Sequence, residues 1–357
     1  MLTNASSCEF VISYYYDNIT GYVDVSLCFI GVILNVLNML VFSRKNMASP
    51  ANVIFTHLAI ADLLILSASI PPSWLQFVHY EKHNYKNATY AKAVIHVCCM
   101  DLRTTLTFTS VYLTLMLAIW RYIAVAHPLK ERDWCNMKTT RNSVIAGYIV
   151  GVLLSIPRYF SFGIEMYSSE SYYPDYKENS ILRDISYLIR ALLQRFLPSV
   201  VLLIFSIKLI ATLLKKGPSK EQPASSSNAQ NNARNLKIKQ QTDRSIIITL
   251  IVVALYLIEQ ISKGLNHLRH GSILKPIYSK FNSKCLVQFE DAVDTLSYFN
   301  MSITFVVYYA MSRNFRTTFK SLFNSNITSL RISSRQRTPD SSPETGPVVI
   351  NVISEMT

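Results

Sequence analysis

Seven stretches of this chain are long and apolar enough to cross a hydrocarbon layer as helices, and that repetition restricts the fold more than any motif. Lipid offers no partner for a backbone N–H or C=O, so a spanning segment must satisfy its own hydrogen bonds as a helix or join a closed barrel. A helix needs roughly 20 apolar residues for the crossing. Such windows occur at about Tyr22–Phe42, Ala51–Pro72, Ala93–Ala126, Asn142–Phe162, Ile185–Leu214, Arg244–Leu268 and Val287–Met311. The third and fifth exceed the need, which predicts tilt or projection from the bilayer. Composition agrees: half of the 357 residues are hydrophobic and 16% are charged, where a soluble domain carries about 25%. The expected fold is an all-α membrane protein, a seven-transmembrane helix bundle.

The net charge of +13 would favour nucleic acid only as a basic face on a soluble domain. Here the cations lie in connectors: Arg44 and Lys45 after span one, Lys130, Arg132, Lys138 and Arg141 after span three, Lys215 to Arg244 after span five, and the tail after Met311. Positive connectors face the cytoplasm. The acceptors Asn4, Asn18 and Asn87, each in an Asn-X-Ser/Thr triplet, fall on the other side. These signals predict an extracellular glycosylated tail over 1–21, a seven-transmembrane bundle over 22–311, an amphipathic eighth helix on the membrane surface over 312–324, and a disordered cytoplasmic tail over 325–357. Met1–Tyr22 lacks a basic start followed by an apolar block, so span one is expected to act as its own insertion signal in the plasma membrane.

A polar or charged side chain inside a span is costly in lipid, so it faces the bundle interior and has a task. "LAIADLL" places Asp62 in mid-membrane and "GVILNVLNML" places Asn35 at similar depth. Ser110 in span three and Asn300, Ser302 and Thr304 in span seven could gather around that carboxylate, with water or a sodium ion completing the cluster; hydrogen bonds that merely join helices are the alternative. A second set lies nearer the outer face: Asp101 and Arg103 in the first turns of span three, Arg190, Gln194 and Arg195 before Pro198, Glu259 and Lys263 in span six with His267 and His270 above, and Asp291 and Asp294 opening span seven. Both signs at one depth over four helices predict a charge-lined cavity open to the outside. Internal pairing, such as Arg103 with Glu259 or Asp294, is the competing reading.

Asn35, "LAIAD", "WRY" at Trp120–Tyr122, Pro198, Tyr308 and "FRTTF" at Phe315–Phe319 fall in the order found in a rhodopsin-like G-protein-coupled receptor. The strings "AIWRYIAVAHPLKERDWCNMKTTR" and "YYAMSRNFRTTF" resemble the branch of invertebrate myosuppressin and FMRFamide-type neuropeptide receptors. The resemblance implies that Arg121 sits at the cytoplasmic end of span three, restrained at rest and freed when span six swings outward. With Tyr122 and Tyr308 it would serve activation, while Asp62, Ser110 and Asn300 form the mid-membrane relay. Pro128 and Leu129 would pack against a heterotrimeric G protein. Trp120 occupies the place where an acid usually holds the arginine, so no salt bridge to that neighbour can form. The implied ligand is an extracellular neuropeptide, amidated and of the Arg-Phe type. Glu259, Asp291 and Asp294 would meet its arginine, and Arg103 and Arg190 would take carbonyl or acidic groups, with Lys263 beside them. A cation at Arg103, where aminergic relatives carry aspartate, argues against an amine, and the absence of lysine from Val287–Met311 excludes a retinal Schiff base.

Departures from the pattern are informative. No cysteine lies between Cys135 and Cys285, so the family's usual bridge from span three to the second outer loop cannot form; Cys8 and Cys285 remain as a candidate pair. Cys28 and Cys135 are expected to be reduced. Span six has Ile261 where relatives carry proline, which leaves Gly264 as a candidate hinge. Span seven has Thr304-Phe305 in place of asparagine-proline. A chemosensory seven-helix receptor for a small molecule is the alternative reading. A transporter fits less well, since neither an internal repeat nor a broken helix pair is visible. Ser333, Ser334, Thr338, Ser341, Ser342 and Thr345 could take phosphates that recruit an arrestin. No motif points to an enzyme, a cofactor or a structural metal.

Overall fold

The computed structural model describes residues 13–75, 89–168, 171–176, 181–215, 254, 256–268 and 283–322. Span one is the helix Ser13–Phe42, span two Pro50–Ser73, span three Tyr90–Ala126 and span four Met137–Ser161. Span five runs from Ile181 to Lys215 as two α-helices joined by a π-helical turn at Arg190–Phe196. Span six is described over 256–268 and span seven is Ser283–Met311. Five of these helices are long and apolar enough to cross a membrane over their described residues. The expected loop from residue 216 to 244, Cys8, Asn4, Asn87, His270 and the tail beyond residue 322 lie outside the described residues, as does the side chain of Cys285.

Several helices start earlier than hydropathy alone indicates, because polar residues at a helix end cost nothing once it leaves the lipid. Span one begins at Ser13 rather than Tyr22, so Asn18 lies on a helix. At 1.5 Å per residue its 30 residues measure about 45 Å, more than the hydrocarbon thickness of roughly 30 Å. Span three has 37 residues, and its start at Tyr90 puts Asp101 and Arg103 about three turns down the helix, not in the first turns. Ser49 caps span two, its Oγ accepting from the backbone N–H of Asn52 at 3.2 Å, with Pro50 at the first position where no donor is needed.

The π turn in span five has a local cause. A proline lacks the N–H and presses its ring on the carbonyl four residues earlier. Pro198 directs that conflict at Gln194, and the wide turn over Arg190–Phe196 relieves it.

Between spans four and five the chain forms a β-hairpin, β1 (Phe162–Ser168) antiparallel to β2 (Ser171–Tyr176), with Ile164 opposite Pro174. Tyr172 meets the ring of Tyr90 edge-on at 5.4 Å, which lays the hairpin against the top of span three. No alternation in "FGIEMYS" and "SYYPDY" is regular enough to announce it.

Small residues bring spans three and four together, as in most membrane bundles, where close backbone approach replaces the hydrophobic drive. A Cβ on Gly151 would stand 2.5 Å from Thr109 Oγ1 and 3.0 Å from the carbonyl of Thr105, and one on Gly147 would stand 2.5 Å from the Tyr112 ring. On the inner side, Phe42, Phe55 and Phe315 form a buried cluster with Tyr308 and Phe305 around it.

The short helix after span seven, 313–322, matches the expected eighth helix but has a different anchor. Phe315 turns toward the protein and is fully buried in that inner cluster. Arg316 Nη1 donates to the carbonyls of Tyr309 and Ala310, and Asn46 Nδ2 donates to Thr318 Oγ1 at 2.9 Å. The helix is therefore bolted to the end of span seven and to the first inner connector. In the second inner connector, burial and then the nearby Glu131 carboxylate push the thiol of Cys135 above its usual range.

Gly151→Val should cost about 1–3 kcal/mol by overpacking, with Gly151→Ala less severe. Melting of the detergent-solubilised receptor and its surface expression check this, and unchanged values for both would mean that spans three and four are not held by backbone approach.

Candidate functional site

The outer halves of spans three, five, six and seven enclose a cavity of about 260 Å³ lined by Arg103, Arg190, Arg195, Lys263, His267 and Asp294, among others. Its floor is an ion-pair network. Arg103 Nη2 donates to Asp294 Oδ2 at 2.9 Å, and Lys263 Nζ stands 2.9 Å from Asp294 Oδ1. One carboxylate on span seven thus holds a guanidinium from span three and an ammonium from span six. The face of Tyr298 backs Arg103, with its guanidinium carbon 5.4 Å from the ring centre.

Below that tie the network continues inward. Lys263 Nζ donates to Ser297 Oγ at 2.6 Å and stands 3.6 Å from Glu259 Oε1. Ser297 donates in turn to Glu259, and Asn300 Nδ2 donates to Glu259 Oε2 at 2.9 Å. These donors draw the Glu259 carboxylate down between spans six and seven, where only 4% of it is exposed. Glu259 is therefore a support beneath the cavity, not part of its wall. Asp291 also stays out of the wall among the described residues; its carbonyl accepts from Thr295 Oγ1. The predicted ligand contacts Arg103, Arg190, Lys263 and Asp294 do line it.

The outer charges line a cavity and also pair with one another, since an ion removed from water demands a partner.

The mid-membrane set is more dispersed than predicted. Ser110 Oγ donates to Asp62 Oδ1 at 3.0 Å, and Asp62 is buried. Asn35 Nδ2 turns to the carbonyls of Gly31 and Met301, and Asn300 turns to Glu259. Ser302 and Thr304 donate to carbonyls of their own helix, at Tyr298 and Asn300. Asp62 and Ser110 supply two oxygens of the kind sodium prefers.

At the inner end, Arg121 lies over the ring of Phe55, its guanidinium carbon 5.4 Å from the centre. Trp120 Nε1 donates to Thr140 Oγ1 on span four at 3.3 Å. The tryptophan thus anchors the helix while a cation–π contact occupies the arginine. Tyr122 packs edge-on against Phe205 of span five, and Tyr308 against Phe42 and Phe55. Leu129 is 91% exposed on the short helix Pro128–Trp134, free to meet a partner. Gly264 has a packing role: a Cβ there would meet the Phe196 ring at 3.0 Å and Arg195 Cβ at 3.2 Å, so span six closes directly on the π turn of span five.

Three buried contributors went unnoticed in the sequence. Arg158, 3% exposed, donates from Nε to Asp101 at 2.8 Å. Asp24 on span one accepts from Thr295 of span seven. Phe55 faces Arg121. The first two carry the signal that exposed Asp62, a charge within an apolar run, but near the window ends, where the membrane interface is an equally good explanation.

A helical membrane bundle with a charged cavity at one end and an arginine packed on an aromatic ring at the other suits a seven-helix G-protein-coupled receptor. A family model described as serpentine-type 7TM GPCR chemoreceptor Srw matches residues 22–326, and the chain belongs to that family. It is a family of receptors, not of enzymes. The sex peptide receptor of Drosophila melanogaster is 26% identical over 93% of this chain and 78% of its own length. The G-protein coupled receptor dmsr-1 of Caenorhabditis elegans is 24% identical over 90% of this chain and 71% of its own. The FMRFamide peptide receptor frpr-18 of the same nematode is 26% identical over 40% of this chain and 33% of its own.

In a double-mutant cycle on melting, Lys263→Met and Asp294→Asn should be non-additive by about 1 kcal/mol. Asp294 is about two-fifths exposed, 39%, which lowers the coupling from that of a fully buried pair. Additive effects would mean that the two charges do not depend on each other.

Proposed function

We propose that this receptor takes an extracellular neuropeptide, amidated and of the Arg-Phe type, in its outer cavity and activates a heterotrimeric G protein. The observation that carries the reading is Asp294 holding Arg103 and Lys263, which makes one carboxylate on span seven the common tie of spans three and six. Polar groups of a ligand that exchange into this tie loosen span six from span seven. Glu259, Ser297 and Asn300 continue the same line of bonds toward mid-membrane. Pockets that enclose a drug-sized ligand run to about 300–1,000 Å³. A cavity of about 260 Å³ therefore admits one or two side chains, and the rest of a peptide lies across the outer loops. The names of the relatives, a sex peptide receptor and an FMRFamide peptide receptor, favour a peptide.

The reading places the amino terminus outside the plasma membrane and the carboxyl terminus in the cytoplasm. Sugars sit on Asn4, Asn18 and Asn87, Cys8 bridges Cys285, and the serines and threonines of the tail recruit an arrestin once phosphorylated. Asp62 with Ser110 takes part in the relay, Arg121, Tyr122 and Tyr308 in the inner switch, and Pro128 and Leu129 in the G-protein contact. A second reading, a chemoreceptor for a small molecule, is favoured by the description of the matching family and by the modest cavity.

A G-protein dissociation assay across several subtypes, run with a pooled library of amidated peptides, separates the two. Activation by an amidated peptide supports the first. Silence toward every peptide, with activation by a small odorant or metabolite, moves the assignment to the second. Epitope tags should be readable in intact cells at the amino end and only after permeabilisation at the carboxyl end.

Phe55→Leu should raise agonist-free signalling about two- to five-fold, since a cation–π contact is worth about 0.5–1 kcal/mol. Unchanged basal signalling at equal surface expression would show that Arg121 is not restrained through this ring.

A further inference from the structure

The charge around the cavity is uneven. Arg103, Arg158, Arg190, Arg195 and Lys263 line it, against two carboxylates, Glu290 and Asp294. Arg103 and Lys263 share Asp294, and Arg158 has Asp101. Arg195 is placed differently. Only 6% of it is exposed, its Nη1 donates to the neutral Oε1 of Gln260 at 2.7 Å, and its Nε has no hydrogen-bond partner. Among the described residues, no carboxylate stands within ion-pairing distance of it. Removing a guanidinium from water costs several kcal/mol unless a counter-charge compensates.

The π turn explains how this arginine reaches the cavity. On an α-helix, residues five apart point about 140° away from each other. In a turn closed by i→i+5 bonds they stand one above the other. Arg190 and Arg195 are the first residue of the turn and the fifth after it, so the widened turn aims both into one wall. Arg190 lies over the ring of Tyr187 at 4.8 Å, and Gln194 between them donates to the carbonyl of Thr104. Span six closes on the same turn at Gly264. The result is a wall of two arginines in a cavity that Lys263 also lines.

We infer that the π turn Arg190–Phe196 is an anion seat: the ligand carries an acidic group, of the carboxylate class, that lodges against Arg195 with Arg190 beside it. This deepens the reading of the cavity as the ligand site and rests on it. For an amidated peptide, whose carboxyl end is uncharged, the acid is an aspartate or glutamate side chain. For a small ligand it is a free organic acid. Either anion supplies the direct ion-pair partner that Arg195 does not have among the described residues, and its approach also weakens the hold of Arg103 and Lys263 on Asp294.

The full-length receptor in lipid nanodiscs is melted with rising glutarate, ionic strength being held constant with sodium chloride. Glutarate should raise the midpoint of the wild type, have little effect on Arg195→Gln, and retain part of its effect on Arg195→Lys. In parallel, cells expressing the receptor receive amidated hexapeptides ending in Arg-Phe-amide, with Asp, Glu, Asn or Gln at each preceding position. An acid at one position should improve potency at least ten-fold over its amide, and Arg195→Gln should abolish that advantage. If Arg195→Gln fails to reach the surface, the wild-type series and Arg195→Lys decide. Stabilisation by glutarate with no active peptide leaves the anion seat standing and removes the peptide assignment. Active peptides that ignore the acid, with no glutarate effect beyond chloride, overturn the seat and leave the peptide assignment intact.

Discussion

A charge inside a membrane bundle has to find its counter-charge within the protein, and the outer half of this receptor is organised by that requirement. Asp294 satisfies it for two cations at once, one from span three and one from span six. Because the carboxylate belongs to span seven, electrostatic pairing becomes a mechanical tie among three helices. Such a tie suits signalling better than a packed apolar contact. The strength of an ion pair changes when another polar group comes near, whereas packing between methyl groups is indifferent to charge.

The inner end solves the related problem of Arg121 by different means. With Trp120 beside it in place of an acid, the arginine rests on the π face of Phe55, and the tryptophan itself is fastened to span four through Thr140. Phe55 also belongs to the aromatic cluster that holds Tyr308 and the short helix through Phe315. Arg121, span seven and the short helix therefore share one ring system. Between the two ends, Glu259, Ser297 and Asn300 link spans six and seven, at the depth where span six lacks its usual proline and closes on the π turn of span five through Gly264.

That π turn connects sequence to site most directly. Pro198 creates a backbone conflict one turn earlier, the helix widens to relieve it, and the widening swings Arg195 into line with Arg190. Pro198, which is not among the lining residues, thus sets which side chains line the cavity.

Much of this was legible in the residues. Seven apolar windows, basic residues clustered in the connectors and an acid at Asp62 require a helical bundle in lipid, because backbone polarity and charge burial leave few other arrangements. The outer charges could be named from the chain, and four of the six predicted ligand contacts line the cavity. What the chain could not say was which charges meet. Asp294 rather than Glu259 took Arg103, since pairing depends on rotation and depth of whole helices, to which one-dimensional spacing is blind. The roles of Phe55, Arg158 and Asp24 were hidden for the same reason: each gains its meaning only from a residue on another helix. Spanning is dictated by local chemistry, whereas partnership is dictated by how the helices pack.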